Sequence, residues 1–317
     1  MNIGIDMMGG DYAPNQVVSA VQQYLANAST PACLFCIGDE ALLKPLFGEG
    51  IASKNIVIIP STEVIGYNEH PTKALKEKPH SSISIGFHLL ATGKIDAFIS
   101  AGNTGAMLVG TMYTIKAIKG VQRPTIATIV PKVNGETGLI VDVGLNVDCK
   151  PEHLHQFAIL GSLYAKNILG IETPKVGLLN VGEEEAKGNM LCQSTYPLLK
   201  ESKHLHFVGN VEGRDLFQPK ADVFVCDGFV GNIILKMAES IYDAAAERKL
   251  HTDAYFSRFH YENYGGSPIL GVNKPVIIGH GISSAKAFLN MIILAEKMVE
   301  TKFCAQIEAS FQEEITE

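Results

Sequence analysis

The chain has 317 residues, 46% of them hydrophobic, with 30 glycines, no tryptophan and a formal net charge of -7. This is enough for one large α/β unit or two lobes, and the acidic balance excludes a general nucleic-acid binder, whose affinity rests on a basic surface. No apolar run approaches the roughly 18 residues of a membrane span, and MNIGIDMMGG lacks the charged start and apolar core of an export signal, so a cytoplasmic protein is expected.

In chain order, the same grammar recurs: a short apolar run, then Gly, Asn, Asp or Ser, then apolar residues three and four apart. NIGID leads through MMGGDYAP into NQVVSAVQQYL, CLFCIG leads into DEALLKPLF, and DAFIS leads through AGNTG into AMLVGTMYTIKAI. PKVNGETG, residues 131–138, carries the hairpin signal Asn134-Gly135. GLIVDVG, KVGLLNVG, HLHFVG, ADVFVCDG and PVIIGHG then read as strands buried on both faces of a parallel sheet. The expected fold is therefore α/β, a doubly wound, mostly parallel sheet with helices on both faces. No linker or internal repeat stands out, so 1–317 is read as a single α/β catalytic unit, with two lobes as the alternative.

The six cysteines are dispersed, which favours free thiols over a disulfide framework. Cys33 and Cys36 form a C-x-x-C, but inside a strand residues three apart point to opposite faces. The chain has no Walker loop, since Glu183 and Glu184 follow Gly182, and no dinucleotide fingerprint, since Gly102, Gly105 and Gly110 have the wrong spacing. Neither a nucleophile elbow nor a compact zinc spacing occurs. No metal or cofactor is expected.

In open α/β sheets ligands bind beyond the carboxyl ends of the strands, where the polar clusters of this sequence fall: Asp6 with Gly9 and Gly10, Ser100–Thr104, Asp142–Asn146, Asn180–Lys187, Gly209–Arg214 with Asn210, Asp227–Asn232, and His280–Ser284. Backbone donors, amides and a few cations suit positioning and electrostatic stabilisation better than covalent catalysis.

GIDMMGGDYAP, SAGNTGA, RPTIAT, VDVGLNVD, GLLNVGEEEAKGN, FVGNVEGRD, ADVFVCDGFVGNIILK and YGGSPILG occur in that order from the first strand to about residue 271. Together they resemble the phosphate acyltransferase family PlsX. The resemblance implies transfer of a long-chain fatty acyl group from acyl carrier protein to inorganic phosphate; the alternatives are a phosphotransacylase that uses acyl-coenzyme A and a non-catalytic scaffold of lipid synthesis at the membrane. The product would be an acyl phosphate that a membrane acyltransferase uses to start bacterial phospholipid synthesis. It also implies a homodimer and a fold similar to phosphotransacetylase and the isocitrate/isopropylmalate dehydrogenase-like folds.

With phosphate as nucleophile, the protein must bind it, bring it to the thioester carbonyl and stabilise the oxyanion. Ser100, Asn103 and Thr104, with the Gly102 and Gly105 backbone, are expected to cradle phosphate; the alternative is a strand-to-helix turn with an N-cap. Lys187, or else Arg214, is expected to neutralise phosphate or polarise the carbonyl, held by Glu183–Glu185; plain solvation is the alternative. Asn232 is a donor to phosphate or oxyanion, or simply part of a helix cap, and Lys236 shares its face. Ile233, Ile234, Met237, Ile241 and Ala245 read as a core-facing stripe. Asp6, Asp142 and Asn146 either orient a cation or receive a proton at the site or close turns, and Asn180, Asn210 and Asp227 are expected among the substrate- and phosphate-binding residues. His280 is a general acid for the departing thiol or an ordinary polar turn residue.

One departure concerns residues 247–262, where the family often carries an amphipathic membrane-attaching insertion and this chain has only HTDAYFSRFH. Tyr255, Phe256 and Phe259 either touch a membrane surface peripherally or pack on the body.

Overall fold

The computed structural model describes residues 1–249 and 254–316, with the backbone alone at 51, 52 and 313–316. It opens with β1 (Asn2–Asp6), α1 (Asn15–Asn27), β2 (Cys33–Gly38), α2 (Glu40–Phe47) and β3 (Ile56–Pro60). Next come α3 (Pro71–Glu77), α4 (Ser82–Ala91), β4 (Ala97–Ser100) and α5 (Thr104–Gly110). Then follow β5 (Thr125–Pro131), β6 (Thr137–Val141), α6 (Pro151–Asn167), β7 (Lys175–Leu179), α7 (Met190–Glu201), β8 (His206–Val211) and β9 (Val223–Val225). The last elements are α8 (Gly228–Glu247), α9 (Ala254–Ser257), β10 (Gly266–Leu270), β11 (Val276–Gly279), α10 (Ala285–Glu300) and α11 (Phe303–Thr316).

Two compact units divide the chain. The first takes Met1–Lys116, Glu262–Pro268 and Val272–Cys304; the second takes Ala117–Tyr261, Ile269–Gly271 and Ala305–Glu317.

In the first unit the strands run in the order β3-β2-β1-β4-β11, all parallel, and the first half of β10 closes the row antiparallel to β11. Every residue of β4 and β11 is buried. Successive side chains point to opposite sheet faces, so both faces are covered. α4 lies against β1, β2 and β4, and α10 against β1, β4 and β11. The direction of chain progression reverses between β1 and β4, which makes their carboxyl ends a topological switch point.

In the second unit β8, β7, β9 and β6 are parallel, β5 pairs antiparallel with β6, and Ile269 and Leu270 of β10 pair antiparallel with β5. The progression reverses here between β7 and β9. The β5–β6 hairpin turns where expected, with Gly135 at φ +91°. The fully buried Lys132 beside that turn places Nζ 2.5 Å from Asp222 Oδ1, fastening the hairpin to the start of β9.

Three local expectations give way. The helical stretch after AGNTG ends early: α5 stops at Gly110, a π-turn follows, and Lys116 at φ 66° breaks the run. β8 is an edge strand with His206 exposed, so HLHFVG is not buried on both faces. Along α8 only Ala245 of the expected core stripe is buried; Ile233 is 52% and Met237 65% exposed. A 3.6-residue period shows that a helix has an apolar face, not what covers it.

All six cysteines are free, with Cys33 half-buried and Cys36 buried on alternate sides of β2. Part of the short 247–262 region, residues 250–253, lies outside the described residues. Around it Tyr255 and Phe259 form edge contacts with each other, Phe259 packs on Phe217, and Tyr255 Oη donates to the Pro131 carbonyl. This aromatic group packs on the second unit.

Candidate functional site

Each unit places a buried aspartate at the end of a strand and builds loops around it. In the first, the Asp6 carboxylate accepts from Ser100 Oγ at 2.6 Å and from the Met8 N–H at 3.0 Å, with the Ser82 hydroxyl and Gly9 N–H alongside. Ser100 Oγ in turn accepts from the Gly102 N–H at 2.9 Å. Desolvation raises the Asp6 pKa, and the donors around it offset part of that rise. A Cβ on Gly9 would collide with Asp6 Oδ2 and the Gly102 backbone, so the loops after β1 and β4 close around the carboxylate only with glycine there. Gly10 follows at φ +112°.

The SAGNTG turn is therefore occupied by its own bonds. Ser100 has one proton, and Asp6 takes it. Asn103 caps α5 by accepting from the Ala106 N–H at 2.9 Å, and its amide donates to the carbonyls of Gly66, Tyr67 and Glu69 at 2.8, 3.2 and 3.2 Å. Neither side chain offers a donor to a ligand in this arrangement, which corrects the expectation of a cradle built on them. Gly105 lies against Pro71, and Thr104 stands exposed at the first residue of α5 with no hydrogen bond from its hydroxyl.

Tyr67 is a residue that sequence reasoning missed. Its hydroxyl donates to the Ala101 carbonyl at 3.2 Å, beside the Asp11 carboxylate and against Gly281. It joins the loops that follow β1, β4 and β11. A lone Tyr after an edge strand carries no periodic or motif signal. Half-buried His280 belongs to the loop after β11 and accepts the Ser283 N–H through its carbonyl.

In the second unit Asp142 ends β6, fully buried. Its carboxylate accepts from the Ile126 N–H at 2.9 Å, the Asn146 N–H at 2.6 Å and Asn146 Nδ2 at 3.0 Å. Burial raises its pKa as well. Asn146 also donates to the Pro124 carbonyl, and Asp227 caps α8 through the Val230 N–H, so both close turns. Gly231 packs directly on the Asp142 carbonyl, bringing the first turn of α8 down onto the end of β6.

The loop after β7 is pinned by amides. Asn180 Nδ2 donates to the Lys187 carbonyl, Asn210 Nδ2 to the Glu184 carbonyl, and Gln193 Nε2 to the carbonyls of Ala186 and Gly188. Asn180 and Asn210 thus fix the backbone of the loop through their amide N–H groups. Contrary to the expectation from sequence, the acidic run does not hold Lys187: Glu183 pairs with Lys220 and Glu185 with Lys200. Arg214 pairs with Glu212, and Lys236 with Glu239 at 2.8 Å.

Of the second unit's candidate residues, two are left without a side-chain hydrogen bond or ion pair. Lys187 is exposed without an ion pair, its stem lying across Gly182. Asn232 is exposed in the second turn of α8 with its amide over Gly144. Lys187 follows β7 and Asn232 follows β9, the adjoining strands at which the progression reverses. The thiols nearby are poor nucleophiles. Burial, with Asp227 and Asp142 adding to it, raises Cys226 well above the ordinary thiol value and Cys149 to about 11, and burial also raises Cys192. Glu183, Glu212 and Asp215 have metal-ligand spacing, but Lys220 bridges Glu183 and Asp215 while Arg214 holds Glu212.

A family model described as fatty acid synthesis protein matches residues 1–306. The phosphate acyltransferase of Thermoanaerobacterium thermosaccharolyticum is 42% identical over 98% of this chain and 97% of its own length. That of Halothermothrix orenii is 42% identical over 94% of this chain and 95% of its own. Among solved structures, the EutD phosphotransacetylase from Staphylococcus aureus matches with a TM-score of 0.64 at 19% identity over 94% of each chain. A branched-chain phosphotransacylase from Enterococcus faecalis V583 matches with 0.63 at 16% identity, over 94% of this chain and 99% of its own. At those identities the structural likeness is one of fold.

Proposed function

The chain belongs to the fatty acid synthesis protein family of phosphate acyltransferases and is an acyltransferase, and from that premise we propose that it transfers a long-chain fatty acyl group from acyl carrier protein to inorganic phosphate. Phosphate supplies the nucleophile, so no protein atom needs to be acylated. Its oxygen attacks the thioester carbonyl, the carbonyl electrons move onto oxygen, and collapse of that oxyanion expels the thiolate and leaves an acyl phosphate. The observation that carries this reading is the pair Lys187 and Asn232, a cation and an amide donor left free at adjoining strand ends among thiols held protonated. Lys187 would stabilise developing negative charge, and the Asn232 amide would donate to the same oxyanion or to phosphate.

The exposed face of α8, with Phe229, Ile233 and Met237 four residues apart, fits a homodimer in which a second copy covers it. A cytoplasmic location with peripheral membrane contact, and hand-over of the product to a membrane acyltransferase, belong to the same proposal. No described helix is long and apolar enough to cross a membrane.

The experiment is thiol release from a long-chain acyl carrier protein with and without inorganic phosphate, the product being trapped as a hydroxamate. Phosphate-dependent release with a trapped acyl group supports the reading. Release without phosphate would overturn it, and turnover confined to acyl-coenzyme A would overturn the carrier-protein donor.

A further inference from the structure

The Ser100 and Asn103 side chains of the 100–105 turn are committed, yet the first unit has uncommitted polar groups elsewhere. α10 is a 16-residue helix with no acidic residue in its first turn and a lysine, Lys286, at its second position, against the usual preference for negative charge there. Ser284 occupies its N-cap position but its side chain caps nothing. The N–H of Ala285 is taken by Gln16 Oε1 at 2.9 Å, whereas those of Lys286 and Ala287 fall in the turn where helix geometry supplies no carbonyl.

The two residues that precede this turn, Ser283 and the N-cap Ser284, carry buried hydroxyls without a partner. Ser283 is only 1% exposed. A buried hydroxyl left unpaired costs stability, and each such group in a folded protein calls for an explanation. Two side by side at one helix N-terminus, with first-turn N–H groups behind them, make a set of donors with no acceptor. The loop that carries them follows β11, next to β4, and it abuts the loop after β1, where the Asp11 N–H donates to the Gly281 carbonyl at 2.7 Å.

We propose that the N-terminus of α10 is an anion seat, in which the hydroxyls of Ser283 and Ser284 and the N–H groups of Lys286 and Ala287 bind inorganic phosphate. The assignment rests on the phosphate-dependent reaction proposed above, and it moves the phosphate contact from the SAGNTG turn to the GISSAK segment. Neither hydroxyl has a bond to break, so a turn about χ1 presents it to the ligand. The Asp11 carboxylate, which would repel an anion, lies beside the Tyr67 hydroxyl. Sequence reading names this segment only as part of the His280–Ser284 loop, because an uncapped serine looks like a capping one until the bonds are seen.

The test is Ser283→Ala and Ser284→Ala in the full chain. Direct titration with inorganic phosphate and the phosphate and acyl-donor Michaelis constants would be measured beside thermal stability. Loss of one hydrogen bond to a charged group predicts roughly tenfold or more weaker phosphate binding. The phosphate Michaelis constant should rise in parallel, the donor constant should stay put, and stability should hold or rise. Ser202→Ala, which removes an unpartnered buried hydroxyl in the second unit, should leave phosphate binding alone. Unchanged phosphate binding with raised stability would overturn the seat and leave two orphan hydroxyls. Unchanged binding with lowered stability would overturn it in favour of an internal water. A raised donor constant alone would assign the seat to the phosphodiester of the donor's pantetheine arm and overturn the inorganic-phosphate assignment. Because the titration needs no turnover, phosphate binding lost in the variants stands even if the wild type forms no acyl phosphate, in which case only the reaction reading fails.

Discussion

Lys187 and Asn103 were indistinguishable in kind from sequence, two polar residues after strand ends, and the fold separates them by what they bond. Lys187 has no partner and an exposed head, so Lys187→Ala should leave the folded state within about 0.5 kcal/mol of wild type. It should lower kcat/KM by roughly a hundredfold or more if the ammonium stabilises an oxyanion. Asn103 holds three carbonyls and a helix cap. Asn103→Ala is expected to cost about 2 kcal/mol or more of stability, read by urea denaturation, and any kinetic defect should track loss of the 66–69 loop. The reverse pattern, a stable Asn103→Ala with only a weakened phosphate dependence, would return the cradle to the SAGNTG turn. At the same scale, Asp6 has a raised pKa, so the native state holds a proton more tightly than the unfolded chain. Stability from this group is therefore lost as pH rises from the ordinary carboxylate range through the raised value. Asp6→Asn removes that titration. Its penalty, measured by denaturation across pH, should be largest in acid and smaller towards neutrality; a penalty that grows with pH would show that the carboxylate is stabilised in its charged form.

At the scale of elements, strands and hairpin were legible because each depends on a local run: PVIIG and ADVFV are apolar over their whole length, and Asn134-Gly135 is a turn by itself. α8 was legible as a helix and misread as to its surroundings. Periodicity reports an apolar face, whereas burial depends on what the rest of the molecule brings to it. Hence Ile233 and Met237 of the expected core stripe face outward, while Ala245 is buried. The roles of Asn180 and Asn210 were hidden for a related reason, since the carbonyls they bind belong to a loop whose path no local signal sets. If a second copy covers the α8 face, Met237→Glu puts a charge into that contact, six positions beyond Gly231, the last residue bonded by the Asp227 cap. Sedimentation velocity should then show a shift from dimer towards monomer with helix content intact. A variant that stays dimeric at micromolar concentration would place the self-contact elsewhere.

For the whole molecule, the telling feature is how often the chain passes between its two units. The first is assembled from three separate segments, and β10 gives Gly266–Pro268 to one unit and Ile269–Leu270 to the other. Sequence reading found no linker because none of these passages is one: each falls within or beside a regular element. The arrangement has a consequence for folding. A fragment ending at Lys116 would contain β1 to β4 but lack β11 and α10, so β4, buried along its whole length in the full chain, would become an edge strand with its partner and covering helix gone. An apolar, uncovered edge is a template for aggregation. Residues 1–116 expressed alone should therefore be insoluble, or lack the sigmoidal denaturation of a folded domain. Supplying residues 262–304 as a separate chain should improve solubility, because that chain restores β11 and α10. A soluble, cooperatively unfolding 1–116 fragment would mean that β1 to β4 and their helices form a core without those segments, and that the late return of the chain serves the loop after β11 more than the fold.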